Sequence, residues 1–312
     1  MNIWQPIRDR IFPPDISIFH AFQKPPYGGA NQFLMALRDQ ISRRGIRVGE
    51  NHIASATRAC ILNAFAFDTE HLRRQKRSEC RVLHRIDGPV GTYRGTDHAV
   101  DKQVADLNAE FADVTVFQSQ YSCDANQALG LEFKNVVIIP NASDSRIFYP
   151  KTIPFNKNKK VKLIASSWSD NPNKGGPVYE WLDSHLDWSR FEFTFVGQTK
   201  RPFRNIRHLQ AVPSHELAHL LRQHDIYITA SLHDSCSNAL IEALSCGLPS
   251  LYAESGGNPE IVQQAGFGFS DKEEIPECLN LLVEEYETCQ NQISVATLES
   301  VTDQYLRAVG IT

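Results

Sequence analysis

The chain alternates short apolar runs with longer amphipathic segments, and this alternation limits the available folds more than any other property. The apolar runs of its first half have the length of buried strands and read ISIFHAF, ACILNAFAF, CRVLHRID, VTVFQS and NVVIIPN. Between them lie segments such as HAVDKQVADLNAEFA, in which Val100, Val104, Leu107 and Phe111 share one face at helical spacing. Strands that alternate with helices are typical of βαβ units, so we predict parallel sheets covered by helices on both faces.

The same pattern occurs a second time after an interruption. From Tyr149, the segment YPKTIPFNKNKK has two prolines, four lysines and no periodicity, which indicates an interdomain linker. The strand-like runs VKLIASS, FEFTFVG, DIYITAS and LPSLYAE follow it. We therefore predict an α/β protein with two doubly wound, Rossmann-like domains facing each other across a cleft. The expected domains are residues 1–150 and 151–289, and an amphipathic helix within residues 290–312 is a candidate to join the first domain.

Composition and charge exclude several classes of function. The formal net charge of −4 argues against nucleic-acid binding. No apolar run is long enough to span a membrane, and the first residues lack the design of a signal peptide. Seven cysteines at irregular spacing fit neither a disulfide framework nor a zinc site. We expect a cytoplasmic protein with buried, reduced thiols.

The first candidate binding motif is YGGANQF, directly after the first predicted strand. Gly28 and Gly29 allow a tight turn and a close backbone approach to a ligand. A helix predicted from Ala30 to Ile41 would point its free N–H groups at the same place, which favours an anion. An ordinary strand-to-helix turn is the alternative, because the motif lacks the spacing of a dinucleotide fingerprint.

A second motif follows the predicted strand DIYITAS, where the segment NALIEALSCG is expected to be a helix. Ser235, Ser237 and Asn238 suit its N-terminal cap, and the backbone N–H groups there could surround a diphosphate. Asp234 precedes this helix. Glu242 lies inside it, where a carboxylate could accept two hydrogen bonds from a ribose diol. The alternative is a capped helix with one buried, paired glutamate, which burial makes costly without a partner.

Two further loops belong to the same predicted site. In SGGNPEIV, Gly256 and Gly257 permit close backbone approach, and Pro259 and Glu260 suit a helix start. By itself this is an ordinary helix start, but its place one strand later would make it a second wall of the pocket. In SSWSDNPNKGG, Lys174 begins a helix and could neutralise a phosphate, whereas most turn lysines are simply solvated.

The first half of the chain offers fewer candidates. In VLHRIDG, His84 and Asp87 are expected at the carboxyl end of a strand, where ligands bind in such sheets, although a lone histidine is often structural. Basic residues cluster in the segment 73–85. A solvated helix face is the simplest interpretation, and contact with an anionic membrane surface or an acidic acceptor is the alternative.

In combination, these motifs resemble glycosyltransferase family 4, the retaining, nucleotide-sugar-dependent transferases of GT-B fold. Asp234 and Glu242 are separated by seven residues, as the two acidic residues of that family are. The turn CGLP and the segment GGNPE follow in the order that the family shows. YGGANQF, FQSQY and IIPNASD extend the resemblance over both halves of the chain.

The resemblance implies roles for the candidate residues. Glu242 would hold the donor ribose, and Lys174 would pair with the phosphates. Asp234 would contact the donor sugar or its phosphate surroundings. The backbones at Gly28–Gly29 and Ser235–Asn238 would surround the diphosphate, next to Gly256 and Gly257. His84 or Asp87 would lie near the acceptor hydroxyl, so the implied catalytic residues are His84, Asp87 and Asp234.

The resemblance also implies the substrates and setting of the reaction. A nucleotide diphosphate sugar is the expected co-substrate, with no metal and no other cofactor, and a saccharide or a lipid-linked molecule is the expected acceptor. Electrostatic stabilisation by fixed N–H dipoles and cations would replace the metal. Polysaccharide biosynthesis in the cytoplasm is the expected setting. Peripheral contact with the inner membrane face through residues 73–85 is an extension of that expectation.

Three features depart from the family pattern. The first acidic position holds Asp234 rather than glutamate, and Trp168 or Ser169 stands where an arginine is usual. The first domain is also short. A catalytically weak, nucleotide-sugar-binding partner subunit and a GT-B-fold nucleotide-sugar epimerase therefore remain as alternatives. A nicotinamide-dependent dehydrogenase is disfavoured because its glycine fingerprint is missing.

Overall fold

A computed structural model describes residues 13–24, 28–200 and 202–311. These residues form two compact units. Unit 1 lies within Met1–Gln23, Leu34–Pro140 and Leu298–Thr312, and unit 2 lies within Lys24–Phe33 and Asn141–Thr297. The domain boundaries expected after residues 150 and 289 stay predictions.

Twelve strands are present in the described part of the chain. They are β1 (Ile16–Phe19), β2 (Val48–Glu50), β3 (Ala59–Asn63), β4 (Arg81–Ile86), β5 (Val114–Phe117), β6 (Val136–Ile138), β7 (Val161–Ser167), β8 (Phe191–Gly197), β9 (Arg207–Leu209), β10 (Ile226–Thr229), β11 (Ser250–Ala253) and β12 (Gly266–Phe269). Each of the nine apolar runs singled out in the sequence contains one of these strands. The short strands β2, β9 and β12 were not predicted.

The α-helices of the described chain alternate with the strands. They are α1 (Gly29–Arg43), α2 (Thr69–Gln75), α3 (Val90–Arg94), α4 (His98–Phe111), α5 (Gln120–Gln127), α6 (Gly176–His185), α7 (Ser214–Arg222), α8 (Asn238–Ser245), α9 (Asn258–Val262), α10 (Ile275–Glu284), α11 (Tyr286–Asn291) and α12 (Leu298–Ala308). The helix expected from Ala30 to Ile41 lies within α1. None of the described helices is long and apolar enough to cross a lipid bilayer.

The sheet of unit 1 has six parallel strands in the order β2-β1-β3-β4-β5-β6. Its strand order reverses between β1 and β3. One face is covered by α4, where Leu107 and Phe111 pack against Leu62 and Val82 of the central strands. Since every strand runs the same way, the carboxyl ends of the whole sheet lie along a single edge.

The sheet of unit 2 has six parallel strands in the order β12-β11-β10-β7-β8-β9 and reverses between β7 and β10. Both faces are covered. Leu163 and Phe193 belong to the apolar cluster that includes Leu279 of α10 on one side, and Ile164 belongs to the cluster that includes Leu240 of α8 on the other. The predicted α/β class with two doubly wound, parallel sheets is confirmed.

Candidate functional site

The point where the strand order of unit 2 reverses is where a doubly wound sheet is expected to bind its ligand. Two loops meet there, one after β7 and one after β10. The backbone N–H of Leu232 donates to Asn173 O at 2.7 Å. Gly175 has φ +85°, and a Cβ at this position would lie 2.4 Å from Ala230 Cβ. A residue with a side chain would therefore hold the two loops apart.

Lys174 and Asp234 form an ion pair at this reversal point. Lys174 Nζ lies 2.6 Å from Asp234 Oδ2, and the side chains are 23% and 14% exposed. The sequence predicted both residues for the site but not their contact. Partial burial shields the pair from water and makes its attraction stronger than that of an exposed pair. A ligand phosphate that binds Lys174 must therefore compete with Asp234.

The start of α8 brings together five of the predicted binding residues. Ser237 Oγ accepts a hydrogen bond from Leu240 N at 3.4 Å and so caps the helix, with Asn238 as its first residue. A Cβ on Gly29 would lie 2.6 Å from Asn238 Nδ2, so the Gly28–Gly29 turn of unit 2 packs against this helix start. Ser235 lies two residues before the cap and is partly exposed. Tyr27 is outside the described residues.

Glu242 lies one turn into α8. The residue keeps partial exposure, yet its carboxyl group is largely desolvated, and this burial raises its pKa to about 8. Among the residues that the structure describes, no donor or cation contacts this carboxyl group. A desolvated carboxyl without a partner is costly, and a pair of ligand hydroxyls would supply the missing hydrogen bonds.

Gly256 and Gly257 leave space for the backbone of Asp234. Gly256 has φ +66°, and a Cβ there would lie 2.3 Å from Asp234 O. The backbone N–H of Gly257 donates to the same oxygen at 2.8 Å. The two glycines therefore let the loop after β11 close against Asp234. Their predicted contact with a ligand stays a prediction.

Asn258 is a residue of this region that the sequence did not single out. Its side chain is fully buried, and Nδ2 donates to Ser231 O and to Ala253 O, each at 3.1 Å. His233 N donates to Ser255 Oγ at 3.0 Å beside it. These bonds tie the loops after β10 and β11 to each other. The signal was available, since asparagine in the predicted segment GGNPE caps or crosslinks turns.

His84 does not lie at a strand end, so that expectation is wrong. It lies within β4 and is 0% exposed, because alternate side chains of this strand point into the core under α4. Nε2 lies 2.7 Å from Ala64 O, and Asn108 Nδ2 lies 3.3 Å from Nδ1. Burial lowers the pKa of His84 to about 4, so the ring is neutral near pH 7. The enclosed ring offers no surface to a substrate in this structure.

Asp87 follows β4 and does face the strand ends. Its side chain is 40% exposed, and Oδ1 accepts a hydrogen bond at 3.0 Å from Arg85, which is 1% exposed. Arg85 also donates to Asn63 Oδ1 at 2.7 Å. The expectation that Arg85 belongs to an exposed basic face is wrong. This guanidinium is enclosed in the unit 1 sheet, and the carboxylate of Asp87 balances its positive charge.

Further polar side chains join Arg85 and Asp87 at the carboxyl edge of unit 1. His20 follows β1, and its Nδ1 lies 3.2 Å from Asn63 Nδ2. Gln118 follows β5, and its Nε2 donates to Ile86 O at 2.7 Å. His20 and Gln118 each directly follow the last residue of a strand. Polar residues at the ends of predicted strands could therefore have indicated this group of side chains.

The other basic residues of the segment 73–85 are mostly engaged within unit 1. Arg73 binds Glu110 at 2.6 Å and also pairs with Glu70, and Lys76 Nζ donates to Cys80 O at 2.8 Å. Lys76 and Arg77 donate only to backbone carbonyls, and Arg74, Lys76, Arg77 and Arg81 form no ion pair within the described ranges. The predicted membrane contact through this segment stays a prediction.

Comparison with known proteins identifies the sequence of unit 2. Residues 200–298 match the family model described as glycosyl transferases group 1. The chain is 28% identical over 165 residues to the phosphatidylinositol N-acetylglucosaminyltransferase GPI3 subunit of Saccharomyces cerevisiae (strain YJM789), covering 45% of this chain and 36% of that protein. It is 21% identical over 271 residues to N-acetyl-alpha-D-glucosaminyl L-malate synthase of Bacillus anthracis, covering 81% and 68%. The match thus spans about a third of the yeast relative.

Solved structures extend the likeness to the whole fold. Sucrose-phosphate synthase from Thermosynechococcus elongatus superposes with a TM-score of 0.69 at 12% identity, covering 95% of this chain and 94% of that one. Anabaena Alr3699/HepE in complex with UDP-glucose gives a TM-score of 0.65 at 15% identity, covering 94% and 95%. The resemblance to glycosyltransferase family 4 is therefore confirmed, with a GT-B fold over nearly the whole chain and the sequence of a group 1 glycosyl transferase in residues 200–298.

Proposed function

We propose that this protein is a retaining glycosyltransferase that moves a sugar from a nucleotide diphosphate sugar to a hydroxyl of a saccharide or lipid-linked acceptor. The observation that carries the proposal is the convergence of Lys174, Asp234 and the start of α8 at the reversal point of the unit 2 sheet. A cation beside capped N–H groups is suited to a diphosphate. Glu242, one turn further, is suited to a ribose.

Binding of the donor would exchange one ion pair for another. The diphosphate takes Lys174 from Asp234, and the released carboxylate becomes available to hydroxyls of the transferred sugar. The backbones at Gly28–Gly29 and Gly256–Gly257 are proposed to border the same ligand. Phosphate binding to Lys174 is therefore less favourable than phosphate binding to a lysine without a carboxylate partner would be, because the contact with Asp234 is lost.

The acceptor is assigned to the carboxyl edge of unit 1. Asp87 is the proposed contact for the acceptor hydroxyl, since its side chain is exposed and an ion pair with the buried Arg85 holds it in place. In the transfer, the bond from the anomeric carbon to the phosphate oxygen breaks, and its electron pair leaves with the diphosphate. The acceptor oxygen bonds to the same face of that carbon, and its proton passes to the leaving phosphate oxygen. Retention needs no protein nucleophile in this scheme.

We propose no metal and no further cofactor, because Lys174 and the N–H groups of α8 supply the positive charge that the leaving diphosphate requires. All seven cysteines are thiols in the structure, which supports a reducing compartment such as the cytoplasm. Peripheral membrane contact would use exposed basic residues of unit 1, among them Arg74 and Arg81.

Glu242→Ala tests the donor site. We expect calorimetry to show at least about tenfold weaker binding of the matching nucleoside diphosphate, since a ribose hydroxyl pair would lose its acceptor. The melting temperature should not fall, because the substitution removes a desolvated carboxyl. A thermal-shift panel of nucleoside diphosphates, with UDP first, identifies the base beforehand. Unchanged affinity in the variant would remove Glu242 from the site.

Two alternatives make different predictions for the same preparation. A catalytically weak partner subunit is favoured by Asp234 and by Trp168 at the position where the family has arginine. It should bind a nucleotide sugar without releasing the nucleoside diphosphate. An epimerase should convert the sugar in the absence of any acceptor, which proton NMR detects. A transferase should release nucleoside diphosphate slowly to water and faster with an acceptor.

A further inference from the structure

A cavity of about 410 Å³ lies at the edge of the unit 2 sheet opposite to the proposed donor site. Its lining includes Lys162 near the start of β7, Glu192 near the start of β8 and Arg207 at the start of β9. These are amino ends, whereas Lys174 and Asp234 follow the carboxyl ends. The cavity is thus built by unit 2 alone and shares no residue with the donor site. Its volume suits a small organic ligand.

Positive charge in this cavity is not neutralised by the protein. Within the described ranges, no carboxylate lies within ion-pair distance of Lys162 or Arg207. Glu192 is the register partner of Lys162 on the neighbouring strand, yet the two form no ion pair. Asp225, which follows His224 in the chain, is already bound by Lys151 Nζ at 2.9 Å. An anion placed between Lys162 and Arg207 would relieve their mutual repulsion.

The floor of the cavity is polar and rigid. Thr194 and His224 are both buried, and His224 Nε2 lies 2.9 Å from Thr194 Oγ1. His224 Nδ1 is held at 2.7 Å from Leu220 O, so both ring nitrogens are engaged. Burial, with a smaller contribution from Lys162 and Arg207, lowers the pKa of His224 and keeps the ring neutral. The floor therefore adds no charge, so the lining cations Lys160, Lys162 and Arg207 and the carboxylate of Glu192 decide what the cavity attracts.

We propose that this cavity binds the phosphate monoester of a small polyol, with the phosphate between Lys162 and Arg207 and a hydroxyl donated to Glu192. Register supports the arrangement, since Lys162 pairs with Glu192 and Thr194 pairs with Arg207. The side chains of register partners in parallel strands point to the same face of a sheet. One face therefore carries the two cations, the carboxylate and the neutral floor. This second site is independent of the proposed transfer reaction.

The test is calorimetry on the full chain with glycerol 3-phosphate, inorganic phosphate and glycerol as probes. Titrations use the Lys174→Ala background, so that phosphate bound at the donor site does not contribute. We expect saturable binding of glycerol 3-phosphate, at least tenfold weaker binding after Lys162→Ala with Arg207→Ala, and partial recovery with Lys162→Arg. The exposed Lys272→Ala serves as the matched charge control and should bind as the parent does.

Several results would overturn the proposal. Loss of all phosphate binding in Lys174→Ala alone would place the anion at the donor site. Equal affinity in the parent and the Lys162→Ala, Arg207→Ala variant would exclude the cavity. Equal affinity for inorganic phosphate and glycerol 3-phosphate, unchanged by Glu192→Gln, would exclude the polyol. Because Lys162, Glu192, Arg207 and Lys272 are exposed, a melting temperature within about 2 °C of the Lys174→Ala background is expected for every variant built on it.

Discussion

The two sheets of this protein each carry an ion pair at their carboxyl ends, but the two pairs are built differently. In unit 2 the charges stand on loops, where the Lys174–Asp234 pair is partly exposed. In unit 1 the cation is inside the sheet, where Arg85 is enclosed and only its partner Asp87 reaches solvent. A pair on loops can be opened by a ligand at little cost. A pair with one buried member cannot, because the exposed partner stabilises a charge that water does not reach.

The difference indicates a division of roles. The unit 2 pair is suited to exchange, as the binding of a charged donor requires. The unit 1 pair is suited to holding one carboxylate in a fixed place, as the orientation of a neutral hydroxyl requires. Four predictions can break or sharpen this comparison, and they follow from the largest expected effect to the smallest.

Removing the acidic partner should lower the free energy of unfolding far more in unit 1 than in unit 2. Asp87→Asn removes the carboxylate that binds the buried Arg85 guanidinium and should lower the free energy of unfolding by about 3 kcal/mol. Asp234→Asn removes the carboxylate from a pair in which both side chains keep some contact with water, and should cost less than about 1 kcal/mol. Urea unfolding of both variants at one pH gives the two values. Equal losses would contradict the contrast between the two pairs.

Lys174 should matter for phosphates and not for the nucleoside. Lys174→Ala removes a charge-assisted contact and should weaken nucleoside diphosphate binding by about 2 kcal/mol, on the order of 30-fold. Asp234→Asn frees the lysine and should instead strengthen binding of the diphosphate about threefold. Calorimetry with UDP and uridine separates the contributions, once UDP has been found to bind. A similar loss for uridine would contradict the phosphate contact.

Acid should weaken unit 1 through His84. Its pKa is about 4 in the folded chain and 6.5 without burial, so the folded form excludes a proton that the unfolded form binds. The stabilisation is complete above pH 6.5 and is lost as the pH falls towards 4. Between pH 7 and 5 the parent should lose about 2 kcal/mol more than His84→Gln. Equal losses in urea unfolding would contradict burial of the ring.

Metal removal is expected to have the smallest effect. The donor diphosphate is proposed to meet Lys174 and backbone N–H groups alone, so treatment with EDTA should leave the rate of nucleoside diphosphate release unchanged within error. Restoration of a lost rate by Mg²⁺ or Mn²⁺ would contradict the proposed metal independence.

The fold could be predicted because central parallel strands are buried on both faces and appear as continuous apolar runs. The strands β2, β9 and β12 could not be predicted in this way, because they are not buried central strands. Each lies at or near a sheet edge, and Arg207–Leu209 and Gly266–Phe269 mix polar residues or glycines with few apolar ones. Such strands form because a neighbouring strand offers hydrogen bonds, which no local pattern announces.

The site could be predicted only where its residues are contiguous. Asp234, Ser237 and Glu242 lie within nine residues of each other and share one loop and helix. The unit 1 network joins His20, Asn63 and Arg85 across three strands, so only the assembled sheet reveals it. His84 and Arg85 show the limit directly. Neighbouring residues of one strand point to opposite faces, and an error of one position exchanges a core residue for a site residue.

The buried Asn258 has a consequence for the thermodynamics of ligand capture. Because it fastens the loops after β10 and β11 before any ligand arrives, those loops have already lost the conformational entropy that binding would otherwise remove. A ligand should then meet a surface already in its final shape, with little rearrangement on contact. The backbone amides of His233 and Gly257 should exchange slowly with deuterium in the empty protein, and Asn258→Ala should make that exchange fast.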